Sequence, residues 1–127
     1  MALVVVAEDD GDIREIMERV LRRAGHTVVA AGDGAAGLAA VRERRPDLVV
    51  SDIDMPVMSG IEMTLALRGD PATEDLPVLF VSGSVAPGDP GPAAVEGTSV
   101  LFKPFLPAEL TAAVDQALHA GRAAGPG

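Results

Sequence analysis

Five short apolar runs, set apart by longer stretches of helical period, constrain this chain more than any other feature of it. Leu3 to Ala7, Thr27 to Ala31, Leu48 to Ser51, Val78 to Val81 and Ser99 to Phe102 read as strands. Strands that alternate with helices build a parallel sheet with crossover helices on its faces. Near-continuous hydrophobicity within the runs suits strands covered on both sides. The expected fold is α/β, a doubly wound five-stranded parallel sheet.

The intervening stretches carry helix signals of their own. Ile13, Ile16, Met17, Val20, Leu21 and Ala24 recur at steps of three and four, while Arg14, Glu15, Glu18, Arg19, Arg22 and Arg23 take the other face. Gly25 stops that helix. Asp33 is placed to cap a second helix, which Pro46 prevents from continuing past about Arg45. A third runs from Ser59 or Gly60 to Arg68, with Ile61, Leu65 and Arg68 on one side and Gly69-Asp70-Pro71 closing it. The last opens with Pro107 and buries Leu110, Ala113, Val114, Ala117 and Leu118. Residues 1–120 are thus expected to form one domain, and 121–127 a flexible tail or the start of a linker.

One crossover breaks the pattern. Between the fourth and fifth runs, Pro87, Pro90 and Pro92 remove amide donors and bias each preceding residue away from helix. The expectation there is a shortened or irregular fourth helix: a loop from about Ala86 to Gly91, then at most about one and a half turns ending near Gly97.

Composition excludes several function classes. Ten Lys and Arg against nineteen Asp and Glu give a net charge of -9, which disfavours a nucleic-acid groove or an anionic membrane surface as partner. The absence of cysteine removes disulfide frameworks, thiolate catalysis and Cys-based zinc sites. Met1 to Val6 lacks the basic, longer character of a signal peptide, and no apolar run is long enough to span a bilayer. A cytoplasmic protein is the expectation. His26 and His119 stand far apart, outside any metal-ligand spacing, and are expected to be structural or solvent-facing.

In a doubly wound sheet the ligand site lies beyond the carboxyl ends of the strands. There the first run ends in Glu8-Asp9-Asp10, the third in Asp52 with Asp54 two residues on, the fourth in Ser82-Gly83-Ser84 and the fifth in Lys103-Pro104. Any one of these acids could simply cap the helix that follows, as Asp10 and Asp33 are placed to do. Gathered on one edge, however, carboxylates repel by roughly 4 kcal/mol per pair at about 4 Å and an effective dielectric near 20. A hard divalent cation relieves that repulsion, and Mg²⁺ takes such oxygen ligands. Metal, carboxylate nucleophile, hydroxyl donor and ammonium together supply what phosphoryl transfer requires.

These stretches resemble the response-regulator receiver domains of two-component signalling. The matching segments are Val5-Val6-Ala7-Glu8-Asp9-Asp10 with Asp12-Ile13-Arg14 behind it, Pro46 through Asp52, Met55-Pro56-Val57-Met58-Ser59-Gly60, Pro77 through Ser82, and Lys103-Pro104-Phe105. In order and spacing they cover residues 2–119. The resemblance implies the flavodoxin-like strand order 2-1-3-4-5. It implies that Asp52 is the phosphoacceptor, taking a phosphoryl group from the phosphohistidine of a sensor histidine kinase or histidine phosphotransfer protein. Asp9, Asp52 and the backbone carbonyl of Asp54 would ligate Mg²⁺, with Glu8 holding metal-bound water. Lys103 would pair with the phosphoryl oxygens, and Ser82 would donate to them as the hydroxyl of the switch. Asp10 falls at a position that the family uses mainly outside the metal shell. Such a domain is a switch for an output partner rather than an enzyme, with only self-catalysed phosphorylation and dephosphorylation.

Three positions depart from the family pattern. Val100 stands where an aromatic is usual, three residues before the lysine; the crossover before the fifth strand is rich in proline; and Ser82 replaces the commoner threonine. The first two departures on the family's output face keep open a phosphorylation-independent interaction module on the same fold. Asp52-Ile53-Asp54, Val81-Ser82-Gly83 and Lys103 also resemble haloacid-dehalogenase phosphohydrolases. In those the further acidic pair follows the lysine, whereas here it comes first.

Overall fold

The computed structural model of the chain describes residues 2–83 and 97–123, the side chains of 121–123 excepted. Its strands are β1 (Leu3–Ala7), β2 (Thr27–Ala31), β3 (Leu48–Ser51), β4 (Val78–Ser82) and β5 (Thr98–Phe102). The described helices are α1 (Gly11–Arg23), α2 (Gly34–Arg44), α3 (Gly60–Arg68) and α4 (Pro107–Ala123). All strand pairs are parallel, in the order β2-β1-β3-β4-β5. This is the α/β sheet and the strand order expected from the sequence, with β4 and β5 each one residue longer.

Apolar side chains alternate between two cores, one on each face of the sheet. Val4, Val6, Leu48, Val50, Leu79 and Val81 meet Met17 and Leu21 of α1 and Leu110, Val114, Ala117 and Leu118 of α4. Val5, Val49, Val78 and Phe80 meet Leu38 and Val41 of α2 and Met63 and Leu67 of α3. Burial on both faces explains why β1, β3 and β4 read as unbroken apolar runs. The rule fails at the edges: β2 exposes Thr27 and Ala30, and β5 exposes Ser99 and Phe102, because each has a neighbour on one side only.

Local chemistry sets the helix ends. Asp10 Oδ1 accepts from the amides of Asp12 and Ile13 at 2.9 and 3.2 Å and so caps α1. Gly25, at φ +97°, turns the chain out of α1 into β2. Asp33 Oδ1 accepts from Ala36 N at 2.7 Å at the start of α2, and Arg45 leaves that helix in the left-handed region just before Pro46. Ser59 and Glu62 close a reciprocal capping box on α3.

Two expectations need adjusting. Ile16 is 48% exposed and Ala24 is exposed, so the α1 stripe that reaches the core is narrower than its periodicity suggested. The buried side of α3 is Gly60, Met63, Thr64 and Leu67, which leaves Leu65 on the outer side. The last helix runs from Pro107 to Ala123. The irregular crossover expected from Ala86 to Gly97 falls almost wholly on residues 84–96, which lie outside the described residues, as do 124–127.

Candidate functional site

Every β-strand ends on the same edge of the sheet, and the residues that follow β1, β3, β4 and β5 meet there. Glu8, directly after β1, is fully buried. Its amide donates to Ala31 O at 3.0 Å, and its carbonyl accepts from Arg14 Nη1 at 2.8 Å. Asp52, directly after β3, is 8% exposed, and its amide donates to Ala7 O at 2.9 Å, which carries the sheet ladder to the acid itself. Asp52 Oδ1 accepts from Ile53 N at 2.7 Å, leaving Oδ2 turned towards Lys103.

Lys103 joins the two acids. Its Nζ donates to Glu8 Oε1 at 2.7 Å and to Asp52 Oδ2 at 3.4 Å. Its amide donates to Ser82 O at 3.0 Å, so the buried Ser82 and the lysine sit side by side at the ends of β4 and β5. Asp9, exposed at the mouth, completes the group: one carboxylate oxygen each from Glu8, Asp9 and Asp52 lie within 4.8 Å of one another.

Close packing holds Asp52 in place. Gly60 N donates to Ile53 O at 2.8 Å, and a Cβ on Gly60 would stand 2.1 Å from the Asp52 carbonyl oxygen. Only glycine permits that approach. The Ser51 hydroxyl donates to the same carbonyl at 2.7 Å. In the loop between, Val57 is exposed at φ 69°, a left-handed conformation that strains a β-branched residue.

Charge is out of balance among these residues: three carboxylates share one ammonium. Burial pushes Glu8 up to about 7, and the neighbouring Asp52 charge adds to the effect, while Lys103 and the Asp10 amide oppose it. Burial acts to lower Lys103, but its bonds to Glu8 and Asp52 outweigh that and hold it above its ordinary value. Proton uptake by Glu8 is one remedy for crowded negative charge. A hard divalent cation is the other, and the all-oxygen donor set at the open Asp9 side fits one.

The sequence-nominated residues thus divide. Glu8, Asp9, Asp52 and Lys103 come together, with Ser82 adjoining. Asp10 and Asp33 serve as helix caps. Asp54 follows in the loop with an exposed side chain. His26 Nδ1 accepts from Ala2 N at 3.1 Å, and His119 is exposed, as expected of both. Arg14 was the omission. Helical period put it on the outer face of α1, and only the tertiary fold brings it to the Glu8 carbonyl.

Known proteins bear on this geometry. The family model described as the response regulator receiver domain matches residues 4–115. The transcriptional regulatory protein PrrA of Mycobacterium tuberculosis is 40% identical over 117 residues, covering 91% of this chain and 49% of PrrA. The DNA-binding response regulator MtrA of the same organism is 36% identical over 112 residues, covering 87% of this chain and 48% of MtrA. The chain therefore spans about half the length of these curated relatives. Among solved structures, the chemotaxis response regulator CheY4 of Vibrio cholerae superposes with a TM-score of 0.86 at 33% identity, covering 92% of this chain and 98% of CheY4. The receiver domain of the sensor histidine kinase PA1611 from Pseudomonas aeruginosa, described with a magnesium ion coordinated in its active-site cleft, has a TM-score of 0.85. At 23% identity, over 93% of this chain and 98% of that one, it shows likeness of fold alone. With its strand order, its acidic strand ends and a family match over most of its length, the chain belongs to the response-regulator receiver domains of two-component systems.

Proposed function

We propose that this chain is a phosphoryl-accepting switch in which Asp52 takes a phosphoryl group from the phosphohistidine of a sensor histidine kinase or histidine phosphotransfer protein. The observation that carries the reading is Lys103 Nζ bound to Glu8 and Asp52 together, inside a cluster of three carboxylates. A carboxylate oxygen of Asp52 attacks phosphorus in line, and the P–N bond breaks with its electron pair leaving on the imidazole. The product is an acyl phosphate on Asp52 and a neutral histidine on the partner. Lys103, already 3.4 Å from Asp52 Oδ2, pairs with the phosphoryl oxygens, and Ser82 donates its hydroxyl to them. Attack by water later returns the carboxylate and inorganic phosphate, so the domain signals rather than turning over a substrate.

Asp9, Asp52 and the Asp54 carbonyl would hold Mg²⁺, with Glu8 behind them. The chemistry supplied by bound Mg²⁺ is neutralisation of charge on the carboxylates and on the transferring phosphoryl oxygens. The donor set supports this assignment, because three carboxylates within 4.8 Å carry more negative charge than one lysine offsets. The modified state would alter binding to an output partner. The net charge of -9 argues against direct contact with nucleic acid through this domain. No helix among the described residues is long and apolar enough to cross a membrane, and a cytoplasmic location forms part of the proposal.

Intact-mass measurement after treatment with a small acyl phosphate and Mg²⁺ tests the reading. The wild type should gain one phosphoryl group and Asp52→Asn none. Equal labelling of the variant would falsify the assignment of Asp52. No labelling of either would favour a phosphorylation-independent module, and steady turnover of a phosphomonoester would favour the hydrolase.

A further inference from the structure

The carboxylate of Asp9 stands apart from the other acids at this edge. Glu8 and Asp52 are both bonded to Lys103, and Asp10 caps α1, but no hydrogen bond or ion pair reaches the exposed Asp9 side chain among the described residues. Its direction is therefore set by the backbone on either side of its Cα. Each flanking peptide unit is held by a side chain. The amide of Asp10 donates to Glu8 Oε2 at 3.2 Å, which fixes the peptide after Asp9. Arg14 Nη1 donates to the Glu8 carbonyl at 2.8 Å, which fixes the peptide before it.

The energetics of α1 alone do not account for that second bond. A long side chain on a helix leans back towards the N-terminus, so Arg14, one turn into α1, reaches past the cap to the end of β1. It brings a cation to the positive end of the helix dipole, where a cation is disfavoured. The guanidinium lies between two turns: a Cβ on Gly11, after β1, would stand 3.6 Å from Nη2, and one on Gly32, after β2, 3.5 Å from Nη1. Glu8 N ties the same two strand ends together through Ala31 O. A planar, half-buried guanidinium seated between two turns and bonded to one peptide oxygen is a stiff anchor for that peptide.

We propose that Arg14 is a positioning residue for Asp9: by holding the Glu8–Asp9 peptide it aims the Asp9 carboxylate at the point shared with Glu8 and Asp52. The inference rests on the reading of Asp9 as a Mg²⁺ ligand, and its test separates the two. Calorimetric titration of the whole chain with MgCl₂ is the measurement, comparing wild type, Arg14→Met and Arg14→Lys. Removing a positive charge beside carboxylates would by itself tighten cation binding, whereas removing an anchor loosens it. Arg14→Met should bind Mg²⁺ about tenfold more weakly, and Arg14→Lys, which keeps the charge and a donor, should recover part of that loss. Phosphorylation by an acyl phosphate should then need more Mg²⁺ in Arg14→Met yet reach the wild-type rate at saturating metal. In metal-free protein, the Asp9 amide should become more mobile in nitrogen relaxation measurements on Arg14→Met. Tighter Mg²⁺ binding would overturn the proposal in favour of a purely electrostatic role, and unchanged binding, with or without lost thermal stability, would reduce Arg14 to a structural bond. A fall in the saturated rate at unchanged Mg²⁺ affinity would also overturn it. Failure of the wild type itself to bind Mg²⁺ would instead remove the reading of Asp9 on which the proposal rests.

Discussion

At the N-terminal edge of the sheet, polar side chains close individual backbone groups. Asp47 Oδ2 accepts from Leu3 N at 2.8 Å, His26 Nδ1 accepts from Ala2 N, and Thr73 Oγ1 donates to Leu67 O at 2.7 Å. At the C-terminal edge Glu8 and Asp52 instead share Lys103, and Asp9 adds a third carboxylate beside them. Asp47, His26 and Thr73 each meet backbone groups rather than one another. The C-terminal edge is held by its scaffold in an arrangement that its own charges oppose. A fold can afford such an arrangement where packing over-determines it, which is the usual condition of a functional site.

The contrast predicts that changes at the two edges fail in different ways. The largest effect is expected from Asp9→Ala, which should abolish Mg²⁺ binding measured by calorimetry and Mg²⁺-dependent phosphorylation measured by mass. The fold should survive, because Asp9 is exposed. Wild-type phosphorylation by this variant would erase the distinction between the edges. Gly60→Ala should come next. Its methyl group meets the Asp52 carbonyl at 2.1 Å, a backbone atom that cannot step aside, so a loss of about 3 kcal/mol is expected in denaturant unfolding.

Glu8 gives the pH signature of the charged edge. Its carboxyl is pushed up to about 7 in the folded chain from an ordinary value near 4.5, so between those values the folded state holds a proton that the unfolded state has released. Stability from this group is complete below about 4.5 and is lost as pH rises through about 7. Thermal melts without divalent metal should therefore fall across that window, and Glu8→Gln should flatten the fall. A variant with an unchanged slope would place the titration elsewhere. Asp47→Ala, at the quiet edge, should cost only about 1 kcal/mol and leave phosphorylation at the wild-type rate.

What was legible before the structure follows from range. Asp10, Asp33 and Ser59 act within three residues of themselves, so their caps could be read from neighbours alone. The positions of Glu8, Asp52 and Lys103 at strand ends were legible too, because a parallel sheet carries all such ends to one edge. Ile16 and Arg14 were misplaced by the same periodicity that located α1. Period tells which residues share a helix face, whereas the width of the buried stripe depends on what packs against it.

The sequence by itself determined the alternation of strands and helices, the helix caps and the set of acids, hydroxyl and lysine at the strand ends, because each is written in period or in contacts a few residues long. Tertiary structure alone decided the rest. The Lys103 bond to Glu8 spans 95 residues of chain, and no local pattern encodes its 2.7 Å length or the burial that raises Glu8. The clearance at Gly60 and the pairing of Phe102 with Ser82 likewise exist only once separate segments are packed together. Desolvation and close approach are properties of an assembled neighbourhood, and they turn a list of charged residues into a site.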